Sequence, residues 1–540
     1  MKRYVIGIDI GTAGTKSGLF ANDGTVVSQA YEESSLRHPR PGWVEQDMEG
    51  FYRSAVNTLR QVVHESKIAP GGIAALAVAG QMSGIGMIAA NWDPVEHYDS
   101  WLDTRCEPYI RFMQEQAGQD VLRKTGCPPT YAHCAKILWW RKERPDVFRR
   151  IAKFVVPGCY AAGKMAGLNA SQAFVDYTYL HYTGLADIQE MRWDEDLCEL
   201  FGVPQEKLPR IVRPTEVIGY LTPQAAKDCG LPRGVPIVAG AGDTTTSYLG
   251  AGVVEPGILF DVAGTASVLA SCTGGYSPDL KYGTIMCSRS AIEGLWNPIT
   301  FINGGGLCLR WFRDEIADWT RMEAGRTDRD PYEFLNDLAA TAPPGSDGLL
   351  FVPHLGGRVL PAQPDLRGSW VGLSWGQTKA HLYRSILEGI AYEYYYYHKI
   401  MQDLYPDIRF REVRVLGGGA KSDLWNQIKA DVLGIPYARV TQREPAILGS
   451  AIIAGTAVGL FSGLAETSQR FVEAHGRIEP RAEHHAYYRN YAEAYIRLID
   501  NLRGTYRELD KLRGLSLPGS GGGAAACAKG NGGNGADGEV

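Results

Sequence analysis

A short pattern that opens the chain and returns near its middle limits the architecture more than any other feature. Tyr4–Ile10 is an apolar run with Asp9 at its end. Gly11-Thr12-Ala13-Gly14-Thr15 is a turn rich in glycine and hydroxyls, and Lys16–Phe20 is a second run. After the turn signal Asn22-Asp23-Gly24, Thr25–Ala30 resumes a strand, so a hairpin meander is predicted. Further on, Gly257–Ala263, Gly264-Thr265-Ala266-Ser267 and Val268–Ser271 repeat the order strand, Gly-Thr turn, strand. Two halves that begin alike point to an internal duplication.

Other elements fill in around these. Met48–Glu65 has helical periodicity, Ile73–Ala79 reads as a strand, and Gly80-Gln81-Met82-Ser83-Gly84 follows it. In the second half, Val413–Leu416 is a strand that runs into Gly417-Gly418-Gly419-Ala420 and a helix from about Ser422 to Leu433. Ala380–Asp403 is expected to be a long helix with Leu382, Ile386, Ile390 and Tyr394 on one face. Its tyrosine run, Tyr394–Tyr397, is read as packing. Leu208–Thr222 is proline-spaced and loop-like, and His484–Leu512 is a charged terminal helix. The Gly/Ala/Asn-rich end is expected to be a disordered tail.

Composition narrows the function classes. The chain has 540 residues, 45% hydrophobic and 21% charged, enough for two or three domains with large cores. A net charge of -5, with both signs scattered, gives no support to nucleic-acid or membrane-surface binding. No apolar run reaches the roughly 18 residues of a membrane span, and the apolar stretch at the N-terminus is too short for a signal peptide. The ten cysteines include no C-x-x-C pair and no zinc-ligand spacing, so free thiols in the cytoplasm are expected.

Four turns carry candidate chemistry. In Asp9-Ile10-Gly11-Thr12-Ala13-Gly14-Thr15-Lys16, glycines allow backbone N–H groups to approach phosphate oxygens, and a strand-end carboxylate suits Mg²⁺ held through water. The chain contains no G-x-x-x-x-G-K-[ST] loop. Ala239-Gly240-Ala241-Gly242-Asp243-Thr244 puts an aspartate at a strand end, where it can act as general base toward a hydroxyl. Taken alone, it is more simply a helix cap. Gly264-Thr265-Ala266-Ser267 is a candidate second phosphate loop. The triple-glycine turn at Gly417 lets a flat ring approach because no Cβ intrudes. Each of these is also an ordinary tight turn when judged singly. Gly530-x-Gly532-x-x-Gly535 formally matches the dinucleotide fingerprint, but no strand precedes it and no helix follows it, which removes a dinucleotide oxidoreductase from consideration.

In this order, the segments resemble the FGGY carbohydrate kinases, the family of xylulose, glycerol, gluconate and fucose kinases, over residues 4 to about 500. The resemblance rests most on Gly417-Gly418-Gly419-Ala420-Lys421-Ser422-Asp423-Leu424-Trp425 and its continuation to Pro436. Pro41–Asp47, Trp101-Leu102-Asp103-Thr104-Arg105 and Glu444–Ala451 also match. The resemblance implies an α/β chain of two actin-like (ribonuclease-H-like) domains: a sugar-binding domain at 1–252 and an ATP-binding domain at 253–512, with a tail at 513–540. It implies ATP and Mg²⁺, a small sugar or polyol acceptor, and commonly a homodimer. Asp243 would be the catalytic base, and Asp9 with Asp243 would lie at the metal. Thr12, Thr15, Lys16, Gly264, Thr265, Gly306, Gly418, Gly419 and Asp423 would lie at the nucleotide. Gln81, Met82, Ser83, Asp103, Asp243 and Thr244 would lie at the sugar.

The chain departs from the family where substrate is chosen. Bacterial xylulose kinases typically carry Gln-Met-His where this chain has Gln81-Met82-Ser83, and Gly-Gly-Asp-Asn where it has Gly242-Asp243-Thr244. The Arg-Glu of glycerol kinases is absent. A ketopentose is the first acceptor to expect on general layout. The alternatives are another polyol, ketose, carboxylated sugar or autoinducer, or an actin-like ATP-binding protein without transfer activity.

Overall fold

The computed structural model describes residues 3–513, so the expected tail lies outside the described residues from 514 onward. The duplication read from the sequence is present in the sheets. Strands Tyr4–Ile10 (β1), Gly14–Ala21 (β2), Val26–Glu33 (β3), Ile73–Gly80 (β4), Val217–Tyr220 (β5) and Pro236–Val238 (β6) form one sheet in the order β5-β6-β4-β1-β2-β3. Strands Ile258–Ala263 (β7), Ser267–Ser271 (β8), Met286–Arg289 (β9), Trp296–Ile302 (β10), Glu412–Leu416 (β11), Tyr437–Val440 (β12) and Ala474–Ile478 (β13) form another, in the order β9-β10-β8-β7-β11-β12-β13. Matching β13-β12-β11-β7-β8-β10 to the first sheet reproduces every strand direction. The first pairs are antiparallel, parallel, parallel, antiparallel and antiparallel, and so are the second. Both units are thus α/β with mixed sheets.

The β1–β2 turn is tighter than the sequence reading, because β2 begins at Gly14 and pairs Thr15 with Ile10 and Glu32. Side chains alternate along a strand. Thr15 and Ser17 therefore face the helix Met48–Ser66 (α1), and Lys16 faces the other way. α1 is capped by the Asp47 side chain, which accepts from Glu49 N, and it buries Phe51, Ala55, Leu59 and Val62. Five further helices bear on the site: Asp243–Gly250 (α2), Gly305–Glu315 (α3), Lys379–Leu404 (α4), Asp423–Leu433 (α5) and Pro445–Ala457 (α6). The terminal helix runs over Ala482–Arg513. Tyr394 and Tyr397 of α4 are buried, as expected of packing residues. The nine described cysteines are buried and free.

One helix departs from the expected division at residue 252. α6 follows β12 in sequence but packs on β1 and α2 of the first unit. Glycine makes this contact possible. A Cβ on Gly7 would lie 1.9 Å from Ile447 O, and one on Gly449 would lie 1.9 Å from Thr246 O. Val5 and Phe20 of the first sheet, Ile258 and Phe260 of the second, and Ile447 and Ile452 of α6 share one apolar cluster. The two units therefore meet through a continuous core at α2 and α6.

Candidate functional site

Two carboxylates stand at the ends of converging elements, Asp9 on β1 and Asp243 in the first turn of α2. Asp243 Oδ1 accepts from Thr244 N at 2.6 Å and from Thr244 Oγ1 at 3.2 Å. Asp9 Oδ1 is buried without a hydrogen-bond partner. Burial, and next the nearby Asp243 charge, push the Asp9 carboxyl up to about 7. Burial pushes Asp243 up to about 6 against the opposing hydrogen bonds from Thr244. Crowded, desolvated carboxylates with an unpartnered oxygen fit a divalent cation that takes one or two protein carboxylates and otherwise phosphate and water. Among the described residues, no group of three or more His, Cys, Asp or Glu forms a self-sufficient metal cage.

The sign of the pH dependence follows. Both groups hold their protons more tightly folded than unfolded. Their contribution to stability is present below about pH 4 and is lost as pH rises through about 6 to 7. A bound cation offsets that loss. Mg²⁺ is expected to raise the unfolding temperature more at pH 8 than at pH 5, as scanning calorimetry would measure. An equal shift at both values would contradict the carboxylate pair as its site.

Beside this pair is a ring of hydrogen bonds. Thr12 Oγ1 donates to Gln81 Oε1 at 3.1 Å, Gln81 Nε2 donates to Gln46 Oε1 at 2.7 Å, and Gln46 Nε2 donates to Thr12 O at 3.1 Å. Trp101 Nε1 donates to Thr12 Oγ1 at 2.8 Å. Ser83, at φ 70°, donates to Tyr131 O at 3.1 Å. The Met82 thioether packs on the Gly242–Asp243 turn so closely that a Cβ on Gly242 would lie 2.5 Å from its sulfur. Met82 and Thr244 thus lie against the Gly242–Asp243 turn, with Gln81 and Ser83 flanking Met82 in sequence. Thr12, expected at the nucleotide, is tied to this group through Gln81. Gln46 and Trp101, absent from the expected site residues, join this group through those bonds, and both lie in segments that carry the family resemblance.

The second grouping surrounds a cavity of about 430 Å³ in the second unit. Gly264, Thr265, Gly306, Gly418 and Gly419, the residues that the resemblance would put at a nucleotide, line it together with Trp425, Tyr383 and Leu387. A Cβ on Gly306 would lie 1.9 Å from Gly264 O, so the two loops touch backbone to backbone. A Cβ on Gly418 would meet nothing within 4 Å, leaving bare backbone toward open space.

Two residues expected at ligands, Thr15 and Asp103, are instead buried among protein partners, and two others, Asp423 and Lys16, are paired at the surface. Thr15 lies within β2, and its hydroxyl is 2.7 Å from Ser54 Oγ in the core beneath α1. Asp103 is buried and accepts from Val44 N at 2.7 Å and from Arg105 Nη2 at 2.7 Å, because it neutralises a guanidinium enclosed by Trp43 and Trp139. Asp423 is exposed, pairs with Arg439 and does not line the cavity. Lys16 is paired with Glu444 at 2.6 Å. We expect Thr15→Val to leave the Michaelis constant for nucleotide within twofold while lowering stability by about 1 kcal/mol, the usual worth of one buried hydrogen bond. Steady-state kinetics with denaturant unfolding would check both halves.

The model of the FGGY family of carbohydrate kinases, N-terminal domain, matches residues 4–250, and that of the C-terminal domain matches residues 277–458. The gluconokinase of Bacillus subtilis (strain 168) is 29% identical over 523 residues, 95% of this chain and 99% of the relative. The xylulose kinase of the same strain is 25% identical over 513 residues, 95% of this chain and 99% of the relative. The crystal structure of gluconate kinase from Lactobacillus acidophilus aligns with a TM-score of 0.85 at 25% identity, over 94% of this chain and 100% of that one.

Proposed function

The chain belongs to the FGGY family of carbohydrate kinases, and we propose that it transfers the γ-phosphoryl group of ATP to a terminal hydroxyl of a small neutral sugar, a ketopentose such as xylulose first among them. The observation that carries this reading is the Asp9–Asp243 pair, set beside the hydrogen-bonding ring of Gln81 and Gln46. In this reading the paired units are actin-like, ATP occupies the 430 Å³ cavity, and the acceptor lies against Gln81, Ser83, Trp101 and Thr244.

Asp243 is the general base. An alcohol does not ionise unaided at neutral pH, and a positioned carboxylate accepts its proton as the bond to phosphorus forms. The acceptor oxygen bonds to the γ-phosphorus, and the bond to the β–γ bridging oxygen breaks. ADP leaves with that electron pair. Backbone N–H groups of the Gly264–Thr265 turn stabilise the charge spread over the phosphoryl oxygens. Asp9 and Asp243 are the residues that would hold Mg²⁺, which when bound with ATP supplies neutralisation of phosphate charge.

The cations beside the acceptor loop favour a neutral acceptor over an aldonate. Arg105 is paired with Glu45 at 2.8 Å and Asp103 at 2.7 Å. Lys136 donates to Ser100 O at 2.9 Å and Asp103 O at 3.0 Å, and Lys16 is held by Glu444. An acceptor carboxylate would have to compete for one of them. The second reading, gluconate, is favoured by the higher identity to a gluconokinase, 29% against 25% for the xylulose kinase. Comparing kcat/KM for xylulose and gluconate decides between them. A ratio above ten in favour of xylulose supports the neutral acceptor, and the reverse ratio overturns it.

A further inference from the structure

Behind the cavity lies an ion pair with no exposure on either side chain, Lys429 of α5 and Asp261 of β7. The Lys429 ammonium is hydrogen-bonded to Asp261 Oδ2. Tyr394 OH, from α4, donates to Asp261 Oδ1 at 2.8 Å. On its other side Lys429 Nζ stands 4.4 Å from the ring centroid of Trp425, and the Trp425 indole N–H donates to Leu387 O of α4 at 3.1 Å. Trp425 and Leu387 line the cavity. β7 runs directly into the Gly264–Thr265 turn, and α5 follows directly on the glycine turn at Gly417–Gly419. One carboxylate thus ties together three of the elements that line the cavity, β7, α4 and α5.

The arrangement is costly. Removing both charges from water carries a desolvation penalty, and replacing such a pair with apolar residues of similar size is often neutral or stabilising. Burial accordingly pushes the Lys429 ammonium below the usual lysine range. Such a pair is therefore weak grounds for added global stability, and fixing the register of β7 against α5 is the role its geometry favours. A charge pair has one favourable alignment, and an apolar contact has many.

We propose that Asp261 and Lys429 are positioning residues for the nucleotide. They hold the Trp425 ring and the Gly264–Thr265 turn at the separation that the base and the phosphates of ATP require together. The inference rests on ATP occupying this cavity. The test is the double variant Asp261→Leu/Lys429→Met, in which Tyr394 OH keeps Val268 O as an acceptor at 3.3 Å. Calorimetric titration with ATP should show a dissociation constant raised tenfold or more, with an unfolding temperature no lower than wild type and an acceptor KM within twofold. A purely structural pair would lower the unfolding temperature and leave ATP affinity alone. Tyr394→Phe, which keeps both charges and removes one tether, should weaken ATP binding by a smaller factor. Unchanged ATP affinity in the double variant, or a double variant that does not fold, overturns the proposal. Wild-type protein that binds no ATP overturns the nucleotide reading itself and this inference with it.

Discussion

Asp243→Asn is expected to reduce acceptor phosphorylation by about 10²- to 10⁴-fold, the range a positioned general base supplies, while ATP binds with its affinity little changed. Asparagine keeps the size and hydrogen-bonding edge of the side chain but cannot take the proton. The folded protein should be no less stable, because the substitution removes one of two carboxylates that burial and mutual repulsion penalise. In the wild type the same requirement produces an acid limb. kcat/KM should fall tenfold per pH unit below about 6, where burial has moved the Asp243 carboxyl. Near-normal turnover in the variant, or a flat profile down to pH 5, would take the base role away from Asp243.

Gly449→Ala is expected to damage both stability and activity although no ligand touches it. The added Cβ would lie 1.9 Å from Thr246 O and 2.9 Å from Thr246 Cα. Backbone atoms cannot yield as a flexible side chain does, so α6 and α2 must separate. Overpacking of this kind costs about 3 kcal/mol, and the apolar cluster shared by the two units loses its tight contact. α2 begins at Asp243, so the same displacement moves the carboxylate proposed as general base. Thermal unfolding and steady-state kinetics should both respond, with kcat falling more than the acceptor KM rises. A variant with wild-type unfolding temperature and kcat would mean that α6 and α2 accommodate the added methyl group without separating.

What the sequence disclosed depended on how local each signal was. The strand–turn–strand repeat and the long amphipathic helix are properties of contiguous residues, and both appear within a few residues of their expected limits. The short edge strand Val217–Tyr220 is different. It sits in a proline-spaced stretch and gains strand geometry only by pairing with β6. The packing of α6 on the first sheet was equally hidden, since it depends on Gly7, Gly18 and Gly250 meeting Ile447 and Pro445 from far along the chain. The glycines of the second unit line the cavity because bare backbone leaves room there, a property that residue type alone carries. Thr15 and Asp103 were misread because residue type does not reveal which face of a strand a side chain takes or that a carboxylate already serves a buried guanidinium. The Lys429–Asp261 pair joins residues 168 positions apart, and neither residue type at its own position announces the other.

ADP formation from Mg-ATP by the purified wild-type chain, followed with and without xylulose and a panel of other small sugars and polyols, decides whether phosphoryl transfer goes to a sugar. Strong ADP release that depends on one acceptor and yields its phosphate ester is the predicted result. ADP release that no acceptor stimulates, from a protein that demonstrably binds ATP, would contradict phosphoryl transfer to a sugar.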